Sequence, residues 1–453
     1  MAPASSRRLL CALLCLGLAA SGCSAHRTAA PTAPRERARA LVEAGKPAEA
    51  IALLEGLHAA APDDLELARA LTEAQVKAGR TDAWIAELER RNRAHERASQ
   101  HYMLGLAHFS RSAGAGEPAI RAFERAIALA PGEAELHHRL GIALLESEQY
   151  AQAVGPLRRA VELAPGRAGL QLPLAKALHR TGDTQGAVAA LSALVQQSPS
   201  RAEVATARAL MEQISDPFAR LPKGAGPRFE EGLRALHEQD VPQQAILAFE
   251  EVLHDFPDLA VVHALLGLAY QRLDDAGRAV EEYRRALELA PSDGKTHQYL
   301  GELYLARQRP ESARPEFQQA VALHPLLDVA WYQLGDLELQ RHDLGAARRC
   351  FQVLSALQPD SPAPHGKLAL VLQLEGDWKG ADRELHAVLD GDPENVEFAL
   401  RLGLLHAERA GKTPEPAARR AAQAEAEKWL RQVLEAQPEN AVASRALASL
   451  RGQ

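Results

Sequence analysis

Seventeen histidines and four cysteines are the residues of this 453-residue chain best suited to chemistry. Five of the histidines, His101, His137, His263, His297 and His365, recur at one place in a periodic pattern, which Trp331 fills in its own unit. A ladder of imidazoles could suggest a metal. A shared zinc site, however, needs its ligands about 2 Å from one ion, and successive members of this ladder lie a whole structural unit apart. The place reads as a slot for a flat ring against a neighbouring helix, and no metal is expected. Cys350, beside Phe351, reads as a buried and inert thiol. Gly114-Ala-Gly116-Glu-Pro-Ala119 has the outline of a dinucleotide fingerprint, but no strand precedes it, so no cofactor is expected. HExxH, CxxC and GxSxG patterns are missing. No catalytic constellation emerges, and the chain reads as a non-enzyme.

The elements that carry these residues are periodic. Pro131, Pro165 and Pro199 stand 34 residues apart, and so do Pro257, Pro291, Pro325, Pro359 and Pro393. A fixed period of this size marks stacked repeats, none of which buries its apolar face alone. Within a unit, Leu266, Gly267, Tyr270, Ala279, Tyr283, Ala286 and Pro291 are followed one period later by Leu300, Gly301, Tyr304, Ala313, Phe317, Ala320 and Pro325. The next unit supplies Trp331, Leu334, Gly335, Ala347, Phe351 and Pro359. Small residues let two antiparallel helices approach, Leu and aromatic residues fill the layer between units, and proline closes each unit because it cannot continue the preceding helix.

This pattern closely resembles the tetratricopeptide repeat family. The resemblance implies an all-α fold, a helix-pair solenoid in a right-handed superhelix. It covers nearly all of the chain beyond the N-terminus, in two arrays: 35–214, with about five repeats and the capping helix SRAEVATARALMEQI, and 229–453, with about six repeats and a cap. The stretch 215–228 holds three prolines and two glycines and reads as the linker between them. The unit at 63–96 fits the pattern least well. Pro156, Pro173 and Pro315 fall inside expected helices and should kink or shorten them. The last repeat carries extra residues near 409–420, which should lengthen its connection or its second helix.

The N-terminus is different. Arg7 and Arg8 precede the apolar run LLCALLCLGLAA, which is too short to span a bilayer as a mature helix. With the small residues that follow, residues 1–22 read as a signal peptide. Ala20-Ser21-Gly22-Cys23 resembles the lipobox of bacterial lipoproteins, with Ala20 where that family usually has Leu. The resemblance implies cleavage before Cys23 and lipidation (palmitate among the acyl groups) of its thiol. Ser24, in place of Asp, implies the outer membrane rather than the inner. Residues 23–34 read as a flexible tether. Cleavage would leave Cys23 and Cys350, so no disulfide is expected within one chain.

Composition narrows the partners. The chain is 47% hydrophobic and 25% charged, with a net charge of −7 and both signs interspersed. No basic block alternates with aromatic residues, so nucleic acid is not an expected partner. In the family that these repeats resemble, ligands lie against the first helix of each pair, at its second, fifth, ninth, twelfth and thirteenth positions. That implies a protein-binding groove lined by Tyr102, Phe109 and Leu145 in the first array. In the second array the lining is Leu268, Arg272, Glu302 and Leu305, then Tyr332, Asp336, Leu339 and Leu370. Apolar residues among scattered charges suit a partner's amphipathic helix or extended segment. The expected function is a protein–protein interaction scaffold, lipid-anchored on the periplasmic side of a bacterial outer membrane, with no small-molecule substrate. Relatives of this kind support pilus, secretion, outer-membrane and polysaccharide-export assemblies. A regulatory arm of an envelope enzyme and a glycan-binding solenoid are the competing readings. The first lacks room for a catalytic domain outside the repeats, and the second lacks a row of exposed aromatic residues.

Overall fold

A computed structural model of the protein describes residues 34–111, 116–197, 199–216, 221–222 and 224–451. The segments read as signal peptide and most of the tether, Cys23, and Gly114 lie outside the described residues. Every regular element among the described residues is a helix, and consecutive helices pair in a solenoid.

Two compact units divide after Leu191. The first holds the pairs Pro34–Glu43 with Pro47–Ala60, Leu65–Lys77 with Thr81–Ala94, Ala98–Arg111 with Glu117–Leu129, and Ala134–Glu146 with Tyr150–Leu163. Gln171–Arg180 follows, and the unit ends within Thr184–Val195. The second begins with Arg201–Ile214, a single helix. Its pairs then run from Gly226–His237 with Pro242–Asp255 to Val396–Lys412 with Pro416–Ala436, closed by Ala441–Arg451. Two features of this layout differ from the proline count. The helix expected to cap the first array lies in the second unit, and Gly226–His237 begins inside the stretch read as linker.

Local chemistry sets each helix boundary. Asp64, Asp275, Asp293, Asp343, Asp377 and Asn395 each accept a backbone N–H from the first turn of the helix they precede, which satisfies donors that have no partner inside the helix. Between the two helices of a pair the chain reverses through one residue of positive φ. Asp240, Asp274, Gln308, His342 and Gly376 hold this place, each 34 residues after the last. Only Gly376 of the five adopts that backbone without steric cost.

The layer inside each pair is equally regular. Ala153, Ala279, Ala313, Ala347 and Ala381 are fully buried. A large side chain of the second helix lies directly over the glycine of the first: a Cβ placed on Gly335 would stand 2.8 Å from the Phe351 ring. Pro156 and Pro315 do not shorten their helices, which keep 14 residues each. Pro173 does: a three-residue tight turn at Ala168–Leu170 precedes a helix of only ten residues. In the last pair both helices grow, to 17 and 21 residues, so the extra sequence becomes helix rather than loop.

Candidate functional site

The recurrent ring slot is a structural joint. The His137 Nε2 lies 2.9 Å from the carbonyl oxygen of Pro131, His263 3.0 Å from that of Pro257, and His365 3.2 Å from that of Pro359. Trp331 makes the same bond with its indole, donating Nε1–H to the Pro325 carbonyl at 2.8 Å. In these four repeats the slot holds a ring with a donor at its far edge, which ties the start of one repeat to the last residue of the one before. The other imidazole nitrogen faces the second helix: Nδ1 of His263, His297 and His365 lies 2.6, 2.7 and 2.8 Å from Glu282, Glu316 and Glu384. Both neighbours of His263 and of His365 are acceptors, an arrangement that favours the imidazolium form. Burial alone would lower the His263 pKa, but Glu282 and the Pro257 carbonyl outweigh it and the net shift is upward. For His365 the Glu384 carboxylate is the largest influence, and the shift is again upward. Sequence reasoning found the slot but missed the bond. The signal, at His263, His297 and His365, was a fixed offset: proline six residues before the ring and Glu nineteen after it. Among the described residues no group of three or more His, Cys, Asp or Glu is placed to hold a metal ion. Burial pushes the Cys350 thiol up to about 12, so little thiolate forms at neutral pH.

The groove expected in the first array needs correction. Tyr102 is fully buried, and its hydroxyl donates to Glu135 of the next repeat at 3.1 Å. Glu135 also accepts from Arg139 and from Arg167, each at 2.7 Å. Burial would raise this carboxyl, but His138 and the two arginines hold it well below the usual carboxylate range. Leu145 is buried too. Of the three residues, only Phe109 keeps partial exposure. The neighbouring repeat covers Tyr102, so the ring acts in packing and cannot meet a ligand.

The first-helix face of the second unit is more open. Leu268, Leu305 and Leu339 are half-buried. Arg272 is tied down, donating to Asp240 at 2.9 Å and to the Leu236 carbonyl. Glu302 accepts from Gln298 at 2.7 Å, and burial raises its pKa. Tyr332 is half-buried, edge-on to Phe351 at 6.3 Å with the Lys367 ammonium 5.4 Å from its ring centre. Lys367 in turn donates to Asp336 at 2.7 Å. Tyr332 therefore does not point clear of the layer between the helices. The open part of the face is further along. Leu370 is 40% exposed and Leu374 is 55% exposed, one turn apart on Pro362–Glu375. Leu374 was overlooked, although it stands at the thirteenth position of its repeat, one of the positions that the repeat pattern assigns to ligands.

Family models described as tetratricopeptide repeat match residues 16–212, 260–293 and 300–362. The chain is a tetratricopeptide repeat protein. Among solved structures, this tetratricopeptide repeat protein is similar to YrrB, described as a TPR protein with an unusual peptide-binding site. The identity is 20%, over 44% of this chain and 97% of that one, with a TM-score of 0.38. Pseudomonas aeruginosa pilF is 20% identical over 50% of this chain and 98% of its own, also with a TM-score of 0.38. The Cut9 and Hcn1 assembly of the APC/C matches at 12% identity over 92% of this chain and 95% of that chain, with a TM-score of 0.34. No curated protein matches. No helix among the described residues is long and apolar enough to cross a membrane.

Proposed function

We propose that this tetratricopeptide repeat protein is a non-enzymatic docking scaffold, held at the periplasmic side of a bacterial outer membrane by lipid on Cys23. It receives an amphipathic segment of a protein partner on the first-helix face of its second unit. The observation that carries the docking surface is the exposed pair Leu370 and Leu374 on one helix face. Residues four apart share a face and meet a partner together. Around them stand Tyr332, Asp336 and Lys367, a ring and a charge pair that give the surface polar edges. Support for the anchor lies in the sequence, in the apolar run that ends at Ala20-Ser21-Gly22-Cys23. Assembly of a pilus, secretion, outer-membrane or polysaccharide-export complex is the setting this anchor suits.

The test is site-specific photocrosslinking in cells. A crosslinking residue at position 374 should capture a protein partner. The same residue at position 247 should not: Leu247 is 62% exposed, but on a second helix. Capture from 247 with none from 374 would refute the assignment of the face.

A further inference from the structure

The helix Arg201–Ile214 interrupts the repeat pattern, and its partners lie far along the chain. Arg208 donates to both carboxylate oxygens of Asp328, at 2.9 and 3.0 Å, and reaches the Leu357 carbonyl at 3.5 Å. Arg201 pairs with Asp360. Gln358 donates to Asp328 from the other side at 2.9 Å, closing the cluster. These acceptors belong to two successive turns between repeats, on one edge of the second unit. The spacing matches. Arg201 and Arg208 are two helical turns apart, about 10 Å along the axis, and packed helices of neighbouring repeats lie about 8–10 Å apart. One arginine therefore meets each turn.

A second observation is a turn on this edge that is covered where its counterparts are open. In most repeats of the second unit the turn is open: Pro257, Pro291, Pro359 and Pro393 are exposed, as are Asp258, Ser292, Asp360 and Glu394 after them. At 324–328 the turn reads His-Pro-Leu-Leu-Asp, and Pro325 and Leu326 are both buried, Leu326 to 3% exposure. His324 is buried with no partner for its Nδ1. Across Arg201–Ile214, the buried residues Val204, Ala207, Leu210 and Met211 form one stripe, with Arg201 and Arg208 along it. The helix also carries its own start signal, a reciprocal cap between Ser200 and Glu203. Leu326, buried at a place where its counterparts Asp258, Ser292, Asp360 and Glu394 are exposed, requires a cover. Among the described residues, Arg201–Ile214 is a helix outside the pairs whose charges reach this edge.

We infer that the turn edge formed by residues 324–328 and 357–360 is a helix-docking site, distinct from the first-helix face, and that Arg201–Ile214 is its occupant, bound reversibly in cis. The ligand chemistry is read from that occupant: a short amphipathic helix with a small apolar stripe and two basic residues seven apart. The site is a latch. Its release uncovers Leu326 and leaves the Asp328 and Asp360 carboxylates without their arginines.

The test uses the full chain and a labelled synthetic peptide of residues 199–216. Arg208→Asp sets a carboxylate against Asp328 and should release the helix, without altering the site itself. The amides of residues 203–214 should then lose hydrogen-exchange protection. The added peptide should bind the Arg208→Asp chain at least tenfold more tightly than the wild type, where the native helix competes. An Asp328→Arg chain should reject the native peptide and accept one carrying Arg208→Asp. Unchanged protection of residues 203–214 in Arg208→Asp overturns the proposal. So does equal peptide binding to the wild type and the variant, or binding that ignores the charge exchange.

Discussion

Replacing Trp331 separates the two demands of the ring slot, bulk and a donor. Trp331 is 9% exposed and donates to the Pro325 carbonyl, which is itself covered. Trp331→Ala removes a buried indole, a change that costs about 3–5 kcal/mol in a packed core. It also leaves that carbonyl without its bond, worth about 1 kcal/mol. Trp331→His keeps the donor at the far edge, as His263 and His365 do, and loses only part of the ring, for about 1–2 kcal/mol of apolar burial. Cys350 stands where the His263, His297 and His365 slots have Glu282, Glu316 and Glu384, so the new imidazole lacks a carboxylate partner. Urea unfolding of the full chain, followed by circular dichroism, reads the second unit's transition. The expected order is wild type, then Trp331→His, then Trp331→Ala, with at least about 2 kcal/mol between the two variants. Equal losses would refute the idea that the slot is defined by a ring that bonds the closing proline.

Three further predictions follow from the same geometry. Gly335→Ala should destabilise by about 1–2 kcal/mol, because overpacking against Phe351 outweighs the helix-propensity gain; Gly56→Ala, in open space on an exposed helix face, should instead stabilise by up to about 1 kcal/mol, and thermal unfolding of the two variants checks the opposite signs. The folded pKa values of His263 and His365 are raised, so their contribution to stability is complete below the unfolded value of about 6.5 and is lost as pH rises through the folded value; His365→Phe should flatten the fall in stability above that pH, measured as midpoint against pH. Cys23→Ser should abolish acyl labelling and move the protein to the soluble fraction; a native protein that carries no lipid would end the anchor proposal.

What could be read from the residues depended on how local the cause was. The helix pairs were legible because their requirements sit within one period: Gly267 under Tyr283, Gly335 under Phe351, and a proline that stops each second helix. The position of Arg201–Ile214 was not. Periodicity ends at Pro199, and its docking depends on Asp328 and Asp360, more than a hundred residues away. Tyr102 was misread for a related reason: its repeat position matches the ligand-facing positions of the family, but the side chain that takes its hydroxyl bond, Glu135, comes from the next repeat. Leu374 was legible and missed, since the count that found Leu370 passes through it one turn later. The ring slot shows the middle case, in which the residue type was clear but its bond to a proline carbonyl needed the backbone path between two repeats.

The central claim is that the first-helix face of the second unit docks a protein partner, and a binding comparison tests it most directly. The partner captured from position 374 is titrated against the wild type, a Leu370→Asp and Leu374→Asp double variant, and Leu247→Asp. All three should show the same helical content, since the three leucines are exposed. The double variant should bind at least about tenfold more weakly, a loss of about 1.4 kcal/mol, while Leu247→Asp binds as the wild type does. Equal affinity for the double variant and the wild type, or a loss confined to Leu247→Asp, would contradict the account.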